Sequence, residues 1–193
     1  MLSDLLTVCP APAVPESVPT ADQWKELESE IGTTFPADYR AMIDKYGDGV
    51  FGSNEAEGAF FDLAYLVHPG GAPNTNVNAF GQMRELTEAI GKMHDRWPDM
   101  IPAPAWPSPG GLLYAGRTTT QNEIYWKTVG QPDDWICTVC DHGCEYWFEW
   151  NGDVTSLLAA IVTKRVPDWI VEGPTRFPLV FRTASSLVGA KLV

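Results

Sequence analysis

The 193-residue chain contains no apolar run near the ~18 residues that a membrane-spanning helix needs, so a helical membrane anchor is not expected. It is poor in cations: 13 Lys and Arg stand against 25 Asp and Glu, a formal net charge of -12. Such a chain is repelled by phosphate backbones and by anionic lipid, which argues against nucleic acid and membrane surfaces as partners. The first residues, Met1 to Val8, hold Asp4 and no Lys or Arg. They lack the positive start and long apolar stretch of a secretory signal, and the expected compartment is the cytoplasm. Catalytic motifs are missing as well. There is no phosphate-cradling Gly loop, no His-Glu-x-x-His helix and no nucleophile elbow, and with three His in the chain no acid–base pair is singled out. The protein is not expected to be an enzyme or to need a cofactor.

What the chain has in quantity is proline, glycine, tryptophan and acid. Sixteen Pro and 17 Gly imply many turns and short elements rather than a helical bundle. The acid is clustered. Met1 to Asp62 carries twelve acidic and three basic residues, and Glu123 to Asp153 carries seven acidic residues and Lys127 alone. Thr163 to Val193 reverses the balance, with five basic and two acidic residues. Complementary fields speed encounter between proteins, so the pattern suits a basic protein partner; it also suits mere solubility.

Residues 1–19, with Pro10, Pro12, Pro15 and Pro19, read as an extended lead-in, weakly ordered or draped over the domain. Thr20 to Gln23 has capping-box spacing, and Trp24, Leu27 and Ile31 then share one helical face up to Gly32. A second helix starts at Pro36, with Tyr39, Met42, Ile43 and Tyr46 inward and Gly47 as its stop. Strands are expected at Val50–Phe51 and Ala59–Val67, then a loop over 69–78 and a helix over Phe80–Trp97. After the proline-dense stretch 98–109 come strand-like runs at Leu112–Ala115 and Glu123–Thr128, a hairpin from Trp135–Val139 and Glu145–Trp150, and a last helix over Val154–Thr163. Phe177 to Arg182 offers an added strand within a basic extension, residues 164–193. This order predicts an α+β domain over residues 20–163, with helices packed on one face of a largely antiparallel sheet.

Within that order, Trp24, Glu28, Gly32, Phe35-Pro36-Ala37-Asp38-Tyr39 and Tyr46-Gly47-Asp48-Gly49 resemble the opening of the SUKH superfamily, the Smi/Knr-like domain. The resemblance continues through Gly111–Gly116, Glu123–Trp126, Pro132-Asp133-Asp134-Trp135 and the hairpin strand to Trp150, spanning Ala21 to Val162. It implies a non-enzymatic binding domain. Bacterial members are regarded as immunity proteins against polymorphic toxins, often nucleases or deaminases, and fungal members as regulatory scaffolds. The expected partner is therefore a protein toxin domain, basic in charge, with a scaffold role as the alternative. The turn Arg117 to Asn122 and the long tail after Val162 depart from the family pattern.

Glu26 and Glu30, four apart on the first helix, read first as a solvated helix surface; with Asp44, Asp48, Glu55 and Glu57 they offer an acidic docking face as the other reading. The loop residues Asp48, Glu55 and Glu57 are the stronger candidates, because binding residues concentrate on loops held by a rigid scaffold. Asp133 and Asp134 lie in a second loop that joins this face, and Trp106, in its proline-rich segment, is the tryptophan expected to stand exposed as an anchor. A metal reading rests on Cys137, Cys140, His142 and Cys144, four soft ligands within eight residues. Against it, alternation along a strand sends Cys137 and Cys140 to opposite faces, and one hairpin tip is an unusual source for a whole zinc site. The favoured reading is cysteines incidental to the hairpin, with no metal.

Overall fold

The computed structural model describes residues 1–54, 60–66, 79–118, 120–171 and 179–183. It is an α+β fold. Seven antiparallel strands form one sheet: β1 (Gly49–Asn54), β2 (Phe60–Leu66), β3 (Leu112–Thr118), β4 (Glu123–Lys127), β5 (Ile136–Cys140), β6 (Trp147–Trp150) and β7 (Leu179–Thr183), in the order β6-β5-β4-β3-β2-β1-β7. Five α-helices accompany it: α1 (Leu2–Val8), α2 (Ala21–Ile31), α3 (Ala37–Tyr46), α4 (Ala79–Arg96) and α5 (Val154–Val162).

The register of the central strands assigns the faces. Trp126 on β4 lies opposite Leu113 on β3 and Cys137 on β5, and Cys137 lies opposite Trp150 on β6. The Trp126 ring packs against Phe35 and Tyr39, which places these residues on the face covered by the α2–α3 pair. Helix α5 packs on this layer and contacts β2 and β5. Its apolar residues run all the way round, and every residue from Val154 to Val162 is buried except Ser156, as a helix enclosed between sheet and neighbouring helices requires. The opposite face carries Tyr125, which contacts Tyr114 and Trp147. Helix α4 serves differently: it packs against β3, which among the described residues pairs with β2 over Gly116–Thr118, and the Tyr114 N–H donates to the Thr87 hydroxyl at 3.0 Å. A side chain thereby satisfies a backbone donor of the strand.

The chain ends differ from the sequence-based expectation at the front and agree with it at the back. The lead-in does not begin as weakly ordered chain: Leu2, Leu5 and Leu6 fall at i, i+3 and i+4 on α1, which packs against α5 with Leu5 and Cys9 fully buried. The following prolines lie outside helix and strand, and Glu16 bridges to Gly47. At the other end β7 adds to the edge of β1, and Phe181 packs between Tyr46 and Phe51. The loop expected over 69–78 lies outside the described residues.

Two glycines are fixed by these ends. Gly47 has φ +70°, and a Cβ there would meet the Glu16 carbonyl oxygen at 2.2 Å. At Gly49 a Cβ would meet the Arg182 carbonyl oxygen at 2.1 Å. The Tyr-Gly-x-Gly pattern is thus where the N-terminal strap and the last strand come closest to the domain.

Candidate docking face

The residues that make the chain recognisable are occupied inside the fold. Trp24 sits edge-on to Phe35 and Tyr39, and the Arg40 guanidinium lies 4.9 Å from the Trp24 ring centre. Glu28 Oε1 accepts from the Phe35 N–H at 3.2 Å and from Arg40 Nη1 at 3.0 Å, tying α2 to the start of α3. Asp38 Oδ2 accepts from the Thr155 N–H at 3.0 Å and so helps cap α5, beside the N-cap Asp153, whose Oδ1 accepts from the Ser156 N–H at 2.7 Å. Burial raises the Asp38 pKa, and the Thr155 N–H opposes that rise. Glu28 and Asp38, two polar side chains of the motif, therefore complete a turn and a helix end.

The outward side of α3 is different. Its N-terminus abuts a short 3-10 turn, Pro132–Asp134, and a groove of about 590 Å³ runs between them, lined by Thr34, Arg40, Asp44, Gln131 and Asp133 among others. Asp44 and Asp133 are exposed there, and Asp134 is exposed on the adjoining turn. Asp133 Oδ1 accepts from the Ala37 N–H at 2.7 Å, so this carboxylate caps α3 as well as rimming the groove. Asp134 Oδ2 accepts from the Gln131 N–H at 3.1 Å and steadies the turn. Asp48 follows the other end of α3, half-buried, with its N–H donating to the Glu16 carbonyl at 2.9 Å. Ten helical residues, about 15 Å at 1.5 Å per residue, separate the Asp133 end from the Asp48 end, with Asp44 between them. The two predicted acidic loops thus flank a single helix. Glu55 and Glu57 lie outside the described residues.

Trp106, expected to stand exposed, is half-buried. Its indole N–H donates to the Ile31 carbonyl at 2.9 Å and its ring packs 5.9 Å from that of Trp135, so it joins the end of α2 to the core rather than standing as an anchor. Proline density signalled a loop but not where the loop's large side chain goes. Conversely, Arg40 and Thr34 at the groove had no distinguishing mark in the sequence; only the meeting of α3 with residues nearly a hundred positions away creates it.

The four soft ligands of the hairpin do not converge. Cys137 lies on the helix-covered face, fully buried, and burial holds its thiol well above the usual range. His142 is exposed at the tip. Cys140 and Cys144 do meet, with their sulfurs 3.6 Å apart. That contact, with burial, raises the Cys140 pKa, and the same contact lowers that of Cys144. All four cysteines are free thiols.

Among the described residues no helix is long and apolar enough to cross a membrane. The SUKH_5 family model, described as SMI1-KNR4 cell-wall, matches residues 8–60, from the end of α1 to the first residue of β2. This match supports assignment to the SUKH superfamily, on the stretch that contains the Trp24-to-Gly49 motif. No curated protein and no solved structure matches the chain significantly.

Proposed function

We propose, with the SUKH assignment as the premise, that this is a non-enzymatic cytoplasmic binding protein of the immunity type, which neutralises a basic toxin domain by docking it on the acidic side of α3. Proteins of the SMI1-KNR4 family are generally not enzymes, and the family is consistent with either an immunity or a Smi/Knr-type regulatory role. The observation that carries the immunity reading is the groove where Asp44 and Asp133 stand exposed beside a capped helix, on a chain of net charge -12. Carboxylates fixed on a preformed surface steer a cationic partner and bind it with little ordering cost. An interface of ordinary size would bury roughly 1,600 Å² in all, more than the groove alone, and would extend along α3 toward Asp48.

The test is protection. Reading frames that neighbour this gene are screened for toxicity in a heterologous host, and any toxic one is expressed alone and with this protein. Restored growth, together with a complex that dissociates at high salt, supports the reading. Undiminished toxicity with both proteins soluble contradicts it and leaves the scaffold role as the alternative.

A further inference from the structure

We propose that Glu123, Cys140 and Cys144 form a zinc site that pins the β5–β6 turn to β4. The carboxylate oxygen and the two sulfurs lie within 4.8 Å of one another. The 3.6 Å between the sulfurs is close to the edge of a zinc tetrahedron, about 3.8 Å for bonds of about 2.3 Å. The three ligands come from a strand, the end of its neighbour and a turn, so the cluster is not a single hairpin tip.

Several features prepare it. Cys144 has φ +55°, a conformation unfavourable for a residue with a Cβ, in a turn where its sulfur meets Cys140. The turn is held by the Cys144 N–H donating to the Asp141 carbonyl at 2.9 Å and the Trp147 indole donating to the Cys144 carbonyl at 3.0 Å. The Asp141 carboxylate accepts from the Tyr146 and Gly143 N–H groups and is engaged in the turn itself. The Tyr125 phenol donates to Glu123, the kind of outer contact that orients a ligating carboxylate. Independently, the Tyr114 hydroxyl is buried with no hydrogen-bond partner among the described residues. Its ring packs 5.6 Å from that of Tyr125, the residue whose phenol donates to Glu123.

Softness selects the ion: two thiolates and one carboxylate favour zinc over magnesium or calcium. Binding replaces two thiol protons by one divalent cation and releases both protons to water, with no change of oxidation state. A half-buried carboxylate beside two buried thiols then shares one cation with them.

The experiment uses the full reduced chain. Elemental analysis after zinc reconstitution should find about one zinc per chain, and cobalt should give the near-ultraviolet thiolate charge-transfer band. Cys140→Ser and Cys144→Ser should abolish that band, and Glu123→Gln should weaken zinc binding by ~10-fold or more. Cys137→Ala and His142→Ala should retain it. Should the serine variants fail to fold, the chelator response decides: a chelator should lower the wild-type Tm, and should take zinc from Glu123→Gln at a ~10-fold lower chelator concentration. Less than about a tenth of an equivalent of zinc in folded, reduced protein overturns the site. So does equal loss of zinc on replacing Cys137 or His142, or a Cys140–Cys144 disulfide in freshly purified, metal-free protein.

Discussion

The two sides of α3 are made from the same ten residues and have opposite fates. On the inner side Tyr39, Met42, Ile43 and Tyr46 are buried, and Tyr39 alone touches Trp24, Phe35 and Trp126. On the outer side Asp44 is exposed over the groove, with Asp133 at one end of the helix and Asp48 at the other. The inner side, with Glu28, Gly47 and Gly49, carries much of the resemblance to the SUKH pattern. The outer side is where a partner is proposed to dock. The two sets overlap at Asp48, Asp133 and Asp134, which lie in the resembling segments and on the proposed face, whereas Asp44 belongs to the outer side alone.

Substitutions ordered by expected effect can break that division. Tyr39→Ala should cost about 3–5 kcal/mol, as removal of a large buried aromatic does, read from the urea midpoint. A loss below about 1 kcal/mol would mean the inner side is not the core that the packing indicates. Glu28→Ala should cost about 1–3 kcal/mol, because the Phe35 N–H loses its acceptor in a half-buried site. Glu28→Gln, which keeps the acceptor, should cost less. Asp133→Ala straddles the two sides: loss of the cap at Ala37 should cost about 1 kcal/mol, while Asp133→Asn retains most of that stability and loses the charge. A binding defect in Asp133→Asn with stability intact would separate the two jobs of this one carboxylate.

The pH response probes the buried side alone. Burial pushes the Cys9 thiol up to about 12 from 9.0 and raises Cys137, Tyr39 and Tyr114 above their ordinary values. The folded chain therefore holds these protons at pH values where the unfolded chain has released them. Their contribution is complete below pH 9, where the unfolded thiol begins to ionise, and is lost as pH rises toward 12. The urea midpoint should fall progressively above pH 9, and a flat profile to pH 11 would contradict the burial of these groups.

How far the sequence could be read follows from the range of the forces involved. The capping box is local, and it appears as expected: the Gln23 N–H donates to the Thr20 hydroxyl, the Gln23 side chain returns to the Thr20 N–H at 2.8 Å, and Gly32 ends α2 at φ +81°. Strand periodicity is local too, and β3 to β6 fall within one to three residues of their expected bounds. The spacing of Leu2, Leu5 and Leu6 is that of one helix face, a local pattern missing from the expectation of an extended lead-in. What could not be read needed register or tertiary approach. Glu123 meets Cys140 because β4 and β5 pair them directly, a match that no sequence spacing reports. Trp106 is half-buried because its indole reaches Ile31, 75 positions away. The groove exists only because the turn at Asp133 closes against Ala37.

The most direct test of the account is the affinity of the adjacent toxin domain for wild-type protein and for Asp44→Lys. This exposed position should leave stability within about 0.5 kcal/mol, so any change in binding belongs to the surface. The account predicts at least a ~10-fold loss of affinity with a shallower salt dependence, the signature of a removed charge contact. Unchanged affinity and unchanged salt dependence, with the complex intact, would move the interface away from α3 and contradict the proposed face.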